Sequence, residues 1–501
     1  MQRREFCKLI GLSAAATAVG AAGATEKSDS YVPVTDSLVL RKLDQWQDWK
    51  FGFMMHWGPY SQWGVVESWS ICSEDWIKRP AGLSYVEYKE KYQALPTTFN
   101  PIGFDPDVWA GVAKEAGMKY VVFTTKHHDG FSMFDTRQTD YRITAPDVPF
   151  HTNPRANIAN EVFAAFRKQS FGIGAYFSKP DWHNLDYWAP EWATPDRNVN
   201  YDTRKYPERW RKFVGFVHRQ VGELTSEYGS LDILWLDGGW VNAKTHPDAI
   251  VGGGEVPWPQ DIDMPEMAAI ARRNQPGLIV VDRAVGGPYE NYRTPEQQIP
   301  DKPLPYPWET CMTLGNSWSY APNDHYKSSR QIVHMLVDVV AKGGNYLLNV
   351  GPDPNGELPT AAVARLAEIG AWMTINDEAI YATRPVAPYR DGKLCFTTRA
   401  KDGAIYAIYL LDEGEAVPEM IRLKDILPAA GTTIHLLGSD IELKWQRDGA
   451  GARVALPESV RNQAANNYAV SCVFHDTAGK ETVRHNEDEI NKSRSHASRS
   501  R

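Results

Sequence analysis

Cysteine is scarce in this chain, which contains five cysteines among its 501 residues. No C-x-x-C pair occurs, and this absence argues against a zinc site built from thiolates. Cys7 lies close to the N-terminus, and the other four cysteines are widely scattered, at positions 72, 311, 395 and 472. Their spacing does not assign a disulfide pairing.

The chain also lacks a basic excess and a long apolar run. Its formal net charge is −8, so binding to nucleic acid is not expected. The apolar run at residues 9–24 is short and rich in alanine and glycine, which does not suit a membrane-spanning helix. It follows Arg3 and Arg4 and ends in a small-x-small pattern at residues 22–24. These features predict a twin-arginine export signal over residues 1–24 and a periplasmic or secreted protein.

Strand and helix patterns alternate through most of the chain. Apolar runs that end in polar residues predict strands, and the stretches between them predict helices. This alternation predicts an α/β fold, a (β/α)8-like, TIM-type barrel with its site at the C-terminal mouth. An open doubly wound sheet is the alternative, but no glycine-rich nucleotide loop follows the first strand. The strands are predicted at residues 50–58, 119–130, 171–178, 231–236, 277–283 and 345–350.

Aromatic residues are plentiful, with 18 Trp and 23 Tyr, and the length of the chain predicts more than one domain. Trp is also core filler, so its abundance favours a carbohydrate site only modestly. Short β-rich segments near the C-terminus predict an antiparallel β-sandwich. The predicted organisation is an export signal at 1–24, a catalytic barrel at 25–385, a β-sandwich at 386–478 and a disordered charged tail at 479–501.

The stretch at residues 231–240 is the strongest local indication of chemistry. Its apolar run stops abruptly at Asp237, before two glycines. Because side chains alternate along a strand, Trp235 and Asp237 share one face and place an aromatic ring beside a carboxylate. An Asp-Gly pair often only starts a turn, so these residues alone leave a structural role for Asp237 open.

Carboxylates and histidines elsewhere complete the candidate site. Glycoside hydrolysis needs two carboxyl groups, and the next loop provides Glu290 and Glu296, each of which also suits a solvated loop position. His56, His127 and His128 follow predicted strands, but the H-x-H pattern typical of metal-dependent barrel hydrolases is absent, which favours hydrogen bonding over metal binding. Adjacent histidines point to opposite faces of a regular strand, so both reach one pocket only if the strand end is irregular.

Six motifs, in chain order, together resemble the retaining α-L-fucosidases of glycoside hydrolase family 29. The resemblance extends from about residue 40 to residue 385. It implies a (β/α)8-like barrel with a C-terminal β-sandwich, no metal and no cofactor. The motifs are FMMHWG at 53–58, KHHDGF at 126–131, LWLDGGW at 234–240, VDR at 281–283, TPE at 294–296 and GNYLLNVGP at 344–352.

The resemblance implies a role for individual positions. The nucleophile of the family matches Asp237, and its acid/base matches Glu296, with Glu290 as the alternative. The substrate-binding residues that it implies are His56, Glu67, Trp69, His127, His128, Tyr176, Trp235, Arg283 and Trp318, with no metal ligand.

One part of this correspondence departs from the family pattern. The glutamate and tryptophan that follow the first strand are adjacent in the family, whereas a serine separates Glu67 from Trp69 here. The pair Glu74 and Trp76 therefore remains as an alternate.

The implied activity is exo-hydrolysis of terminal α-L-fucosyl residues from oligosaccharides or polysaccharides, with retention through a covalent fucosyl-enzyme on Asp237. Activity on α-L-galactosides or a fucanase-like activity on sulfated fucans is the alternative within the fold. A metal-dependent barrel hydrolase is the alternative from another class, and bound metal would distinguish it. A non-catalytic sugar-binding protein would not need both Asp237 and Glu296. The sequence does not decide linkage preference or oligomeric state.

Overall fold

The computed structural model describes residues 31–74, 76–194, 196–244, 258–463 and 468–476. The predicted export signal and the predicted charged tail lie outside these residues. None of the described helices is long and apolar enough to cross a membrane. The four cysteines of the described part are unpaired and buried.

The predicted barrel is confirmed by a parallel sheet of seven strands. These strands are β1 (Phe51–Met55), β2 (Tyr120–Lys126), β3 (Gly172–Ser178), β4 (Ile233–Asp237), β5 (Ile279–Asp282), β6 (Glu309–Thr313) and β7 (Asn345–Asn349). They pair in the order β5-β4-β3-β2-β1-β7-β6. Every residue of β1, β2 and β3 is buried, as expected for parallel strands that are covered on both faces. Apolar patterning does not indicate β6, since its sequence, ETCMT, is largely polar.

Residues 289–297, which we call the closing segment, lie between the two edge strands β5 and β6. On one side the Asn291 amide donates a hydrogen bond to the Val280 carbonyl of β5 (3.0 Å). On the other side the Glu309 amide of β6 donates one to the Arg293 carbonyl (2.8 Å). The closing segment thus takes the place of the eighth strand of the predicted barrel, with isolated bridges instead of a regular ladder.

Helices follow most of the strands and cover the barrel. In α3, the Asp105 carboxylate accepts a hydrogen bond from the Asp107 amide (3.1 Å), and Pro106 supplies a preset φ in the first turn. The buried face of this helix includes Trp109 and Ala113. The helices are α1 (Ser37–Trp49), α2 (Tyr85–Gln93), α3 (Pro106–Glu115), α4 (Ile158–Lys168), α5 (Pro207–Glu227), α6 (Met264–Asn274), α7 (Ser329–Ala341) and α8 (Thr360–Asn376).

Two apolar layers stabilise the barrel. One lies between strands and helices, and the other fills the barrel interior, where Met54, Tyr120 and Trp235 belong to one buried cluster. Gly52 makes room for this filling, because a Cβ there would lie 2.3 Å from Cζ of the Tyr120 ring. The interior is therefore packed solid below the mouth, which confines a ligand to the C-terminal end.

The C-terminal part forms the antiparallel β-sandwich predicted from its short β-rich segments. A six-stranded and a three-stranded sheet enclose a core that includes Phe396, Ile421 and Val454. A short helix, α9 (Glu458–Gln463), precedes the last strand. The first strand begins at Thr383, close to the predicted boundary at residue 385. The strands are β8 (Thr383–Asp391), β9 (Leu394–Arg399), β10 (Ile405–Leu410), β11 (Met420–Leu423), β12 (Ile434–Leu436), β13 (Glu442–Leu443), β14 (Trp445–Asp448), β15 (Gly451–Ala455) and β16 (Ala469–Phe474).

A buried carboxyl beyond β2 predicts a pH effect on stability. Asp129 accepts hydrogen bonds from the Tyr92 hydroxyl (2.7 Å) and the Phe131 amide (3.2 Å), and burial raises its pKa to about 7. The folded state therefore holds this proton more tightly than the unfolded state, whose Asp pKa is near 3.9. The contribution of Asp129 to the free energy of unfolding is largest below that value and falls as pH rises towards 7.

We expect Asp129→Asn to remove this dependence. Between pH 5 and pH 7, the free energy of unfolding should fall less steeply with pH in the variant than in the wild type. The two slopes should differ by about 1 kcal/mol per pH unit. Urea unfolding at several pH values measures the difference. Asp140→Asn is the control, because the Asp140 side chain is 95% exposed. If the free energy of unfolding depends on pH in the same way in Asp129→Asn and the wild type, Asp129 ionises with an ordinary pKa.

Candidate active site

A pocket of about 430 Å³ opens at the C-terminal ends of the barrel strands. This is the edge at which parallel barrels bind their ligands. All the predicted site residues except Tyr176 line it, and the structure adds residues that the sequence did not indicate. The lining consists of Met54, His56, Glu67, Trp69, His127, His128, Arg197, Trp235, Asp237, Gly239, Trp240, Arg283, Ala284, Glu296, Cys311 and Trp318.

Asp237, the last residue of β4, is fixed by donors on both carboxylate oxygens. Its Oδ2 accepts a hydrogen bond from the Tyr176 hydroxyl (2.7 Å), and Nε2 of His128 lies 3.7 Å from the same oxygen. Its Oδ1 accepts hydrogen bonds from the Arg283 guanidinium (3.2 Å) and the Gly238 amide (2.8 Å). Burial opposes ionisation, but Arg283, His128 and the donors outweigh it and hold the pKa of Asp237 well below its ordinary value. Asp237 is therefore an anion at neutral pH.

Arg283 connects Asp237 to Glu296. Nη1 of Arg283 bonds to Asp237, and Nη2 forms an ion pair with Oε2 of Glu296. The guanidinium also lies over the Trp235 ring, 5.0 Å from its centre. The Asp237 side chain is 15% exposed and that of Glu296 is 42% exposed. One carboxyl group is thus enclosed in the pocket, and the other reaches solvent at its mouth.

Glu290 occupies a different environment and does not line the pocket. Its carboxylate accepts hydrogen bonds from the amides of Ala284 and Gly286 (both 3.0 Å) and from the Arg293 guanidinium (2.5 Å). The side chain is 2% exposed, and burial raises its pKa. These contacts hold the loop after β5 against the closing segment, so Glu290 has the environment of a structural carboxylate.

His56 follows β1 and is oriented by an amide from β7. Its Nδ1 lies 2.8 Å from Oδ1 of Asn349, whose amide nitrogen donates to the Trp318 carbonyl (2.6 Å). Burial lowers the pKa of His56 to about 4, so the ring is neutral at pH 7. Asn349 thereby places His56 and Trp318 side by side, with ring centres 5.0 Å apart.

His127 and His128 both line the pocket because the end of β2 is irregular. The register between β2 and β3 shifts between Thr124 and Lys126, as the adjacent histidines require. Nδ1 of His128 lies 2.6 Å from the Ser178 hydroxyl, and Nδ1 of His127 is hydrogen-bonded to Ser68. Burial lowers the pKa of His128 to about 4 and that of His127 well below its ordinary value. Both rings are therefore neutral at pH 7.

Between the two Glu-Trp pairs, the structure places Glu67 and Trp69 in the pocket lining. Glu67 accepts a hydrogen bond from the Ser319 amide (2.9 Å), and burial raises its pKa to about 7. Its φ of 40° is positive, which is uncommon for a residue with a side chain. Glu74 and Trp76 are not part of this lining, so they do not replace the first pair.

Tyr176 and Trp235 lie deeper, below Asp237. The Tyr176 ring is fully buried and stacks on Trp235 at 5.3 Å, so its hydroxyl supports Asp237 from inside the barrel. The Trp235 indole donates a hydrogen bond to Oε1 of Glu309 (3.1 Å), and burial raises the pKa of Glu309 to about 7. Glu309 thus fixes the floor of the pocket, although nothing in its sequence context points to the site.

Arg197 and Trp240 are two of the six lining residues that were not predicted; the others are Met54, Gly239, Ala284 and Cys311. Arg197 lies in the long loop between β3 and α5, where no periodic pattern marks a functional position. Trp240 belongs to the LWLDGGW motif, so its nearness to Asp237 in the sequence could have indicated that it lines the pocket. The Arg197 guanidinium lies over the rings of Trp69 (4.6 Å) and Trp240 (5.2 Å), so the three form one wall.

One group of side chains has the composition of a metal site. Ligand atoms of His127, His128 and Asp237 all lie within 4.8 Å of one another. The two imidazoles are neutral, which suits metal ligation. The Arg283 guanidinium on the same carboxylate opposes a bound cation. The site therefore carries a donor set for a metal together with a charge that disfavours one.

An enclosed carboxylate and a more exposed carboxyl lie at the mouth of the barrel, where one arginine joins them and neutral imidazoles and indoles surround them. This arrangement defines a glycoside hydrolase. The model of the α-L-fucosidase family matches residues 18–378. The chain belongs to this family.

Similar proteins agree with this assignment in sequence and in fold. The tissue α-L-fucosidase of Rattus norvegicus is 29% identical over 476 residues, covering 90% of this chain and 93% of that protein. The α-L-fucosidase isoenzyme 1 of Paenibacillus thiaminolyticus has a structure with a TM-score of 0.70 and 28% identity, covering 88% of this chain and all of that one. The α-fucosidase of Thermotoga maritima, solved with a mechanism-based inhibitor, has a TM-score of 0.66 and 26% identity, covering 89% of this chain and all of that one.

Proposed function

We propose that this protein is an exo-acting α-L-fucosidase that hydrolyses terminal α-L-fucosyl residues of glycans with retention of configuration. The observation that carries the proposal is the pair Asp237 and Glu296, both bound to Arg283 at the mouth of the barrel. In this reaction the barrel, residues 25–385, is the catalytic domain, and residues 386–478 form a supporting domain.

In the first step Asp237 attacks the anomeric carbon and forms a glycosyl ester, while the bond to the leaving oxygen breaks. The depressed pKa of Asp237 keeps the nucleophile ionised, and Tyr176 and Arg283 fix its orientation. In its protonated form Glu296 gives a proton to the leaving oxygen, so the departing sugar leaves as an alcohol.

In the second step Glu296 removes a proton from water, which attacks the anomeric carbon and releases Asp237 as a carboxylate. Two displacements at the same carbon restore the original configuration. Because the Glu296 side chain is 42% exposed, it reaches the solvent from which the water comes.

The shape and chemistry of the pocket suit fucose. Nδ1 of His56, His127 and His128 is bonded within the protein, which leaves Nε2 of each neutral ring for a hydroxyl of the sugar. The methyl group at C6 requires an apolar surface, which Met54, Cys311 and Trp318 provide on the side of β1 and β6. A substrate that bears an extra hydroxyl at C6, such as an α-L-galactoside, loses part of this apolar contact.

The test is release of nitrophenol from nitrophenyl α-L-fucoside by purified protein. We expect hydrolysis of this substrate, no hydrolysis of the β-fucoside and weaker hydrolysis of the α-L-galactoside. The configuration of the first product, read by NMR before mutarotation, should be α. An initially formed β-product would contradict retention, and preference for the interior bonds of a sulfated fucan would favour the endo-acting alternative.

The cluster of His127, His128 and Asp237 makes metal removal an informative second measurement. If Asp237 is a nucleophile beside Arg283, dialysis against a chelator should leave kcat and KM unchanged. Metal analysis of the purified protein checks the same point. Loss of activity that a divalent ion restores would favour the metal-dependent hydrolase.

For location, we propose export of the folded protein by the twin-arginine route, supported by Arg3, Arg4 and the small-x-small pattern before residue 25. Replacing both arginines with lysine should retain the protein in the cytoplasm of a bacterial host. Fractionation followed by the fucoside assay measures this. Undiminished periplasmic activity of the double variant would overturn the assignment.

A further inference from the structure

The wall of the pocket continues outward beyond its enclosed part. Trp69 lines the pocket, and its ring contacts that of Trp76, with the ring centres 5.5 Å apart. Trp76 is 53% exposed, which is unusual for so large an apolar side chain. An aromatic surface therefore runs from the interior of the pocket to solvent.

The orientation of Trp76 is fixed by a buried carboxylate. Oε2 of Glu74 accepts a hydrogen bond from the Trp76 indole (2.7 Å), and both Glu74 oxygens accept hydrogen bonds from Arg197 (2.5 Å each). Burial opposes ionisation of Glu74, but these donors hold its pKa below the ordinary value. An exposed indole that is held in place loses little conformational freedom when a ligand stacks on it.

Arg197 adds a polar edge to this surface. Its Nε and Nη2 atoms bond to Glu74, whereas Nη1 has no hydrogen-bond partner among the described residues. The Arg197 side chain is 19% exposed and lines the pocket. The surface thus combines a flat apolar face with an available donor, the combination that a sugar ring requires.

We propose that Trp76 is a stacking platform for the sugar to which the fucosyl residue is attached, with Arg197 as a hydrogen-bond donor to that sugar. This inference rests on the proposed exo-fucosidase function. An exo-acting pocket encloses the terminal residue, so the sugar on the leaving side stays at the mouth. Glu296 and Trp76 are both exposed to solvent, and the Trp76 ring contacts Trp69 of the pocket lining.

The experiment compares a substrate without a second sugar and substrates with one. The probes are α-L-fucosyl fluoride and a set of fucosylated trisaccharides of different linkages, and the readout is the ratio of their kcat/KM values. For Trp76→Ala we expect this ratio, trisaccharide over fluoride, to fall about five- to tenfold for the trisaccharides that the wild type prefers. Trp76→Phe should lose less, because it retains a flat ring.

Trp63→Ala is the matched control. Trp63 is also partly exposed, at 37%, but its ring packs on Tyr88 and Tyr92, neither of which lines the pocket. Its ratio should equal that of the wild type. If Trp76→Ala fails to fold, Trp76→Leu replaces it, since leucine keeps apolar bulk without a flat face.

The outcomes are separable. An unchanged ratio in Trp76→Ala for every trisaccharide would overturn the platform and leave the fucosidase function standing. Equal losses on fluoride and trisaccharides would also overturn it, because Trp76 would then only support the pocket. A wild-type protein inactive on fucosyl fluoride would overturn the proposed function itself, and the platform with it.

Discussion

Asp237→Ala is expected to lower kcat by several orders of magnitude on activated and natural fucosides alike. In the proposed mechanism this carboxylate forms the bond to the anomeric carbon, so its removal eliminates the covalent step itself rather than a contact that assists it. Tyr176 and Arg283, which hold Asp237 in the wild type, would remain in place around the vacated volume. Steady-state kinetics on nitrophenyl α-L-fucoside measures the loss.

Added azide provides the decisive readout for this variant. A small anion can occupy the space of the lost carboxylate and attack from the face opposite the leaving group, so the expected product is the β-fucosyl azide. Circular dichroism of the variant controls for folding. A folded Asp237→Ala protein that keeps more than a few per cent of wild-type activity would exclude Asp237 as nucleophile.

The second large effect concerns Glu296. A general acid matters most when the leaving group is poor, so Glu296→Ala should almost abolish hydrolysis of natural fucosides. The first step on dinitrophenyl fucoside should suffer far less. Loss of the base also slows hydrolysis of the fucosyl-enzyme. Azide, which needs no base, should therefore restore turnover and give the α-fucosyl azide.

Glu290→Ala is the matched control, and its contacts predict a different result. Removal of this carboxylate leaves the amides of Ala284 and Gly286 and the Arg293 guanidinium without their bonds to it, which destabilises the loop. We expect a lower unfolding midpoint and a uniform loss on all substrates, without the azide product. If Glu290→Ala gave the retained azide and Glu296→Ala did not, the two roles would be exchanged.

The sequence predicted the parts of this molecule in which local pattern and structure coincide. Alternating apolar runs predicted the parallel barrel, and the abrupt end of one run predicted Asp237 at a strand terminus. The adjacent histidines even required an irregular strand end, which β2 has between Thr124 and Lys126. In each case the residues that carry the signal are neighbours in the chain.

The parts that the sequence did not indicate depend on distant contacts. Strand β6 contains Glu309, whose carboxylate bonds to the buried Trp235 indole across the barrel. A strand with such a polar residue lacks the apolar run from which strands are predicted. Arg197 lies in a loop without periodicity, and only its contacts with Glu74 and Trp69 bring it to the pocket. The choice between Glu290 and Glu296 likewise depends on which carboxylate binds backbone amides, and spacing along the chain carries no such information.

Because Asp237 lies in a regular strand and Glu296 lies in the closing segment, their positions differ in how easily they can shift during evolution. Asp237 lies in a strand that is paired on both sides, with β3 and β5, so an insertion near it would shift a whole register. Glu296 lies in a segment that pairs with its neighbouring strands through isolated bridges and not through a regular ladder. A descendant of this chain can therefore lengthen or shorten that segment and move the proposed proton donor towards a new leaving group, while the proposed nucleophile keeps its place.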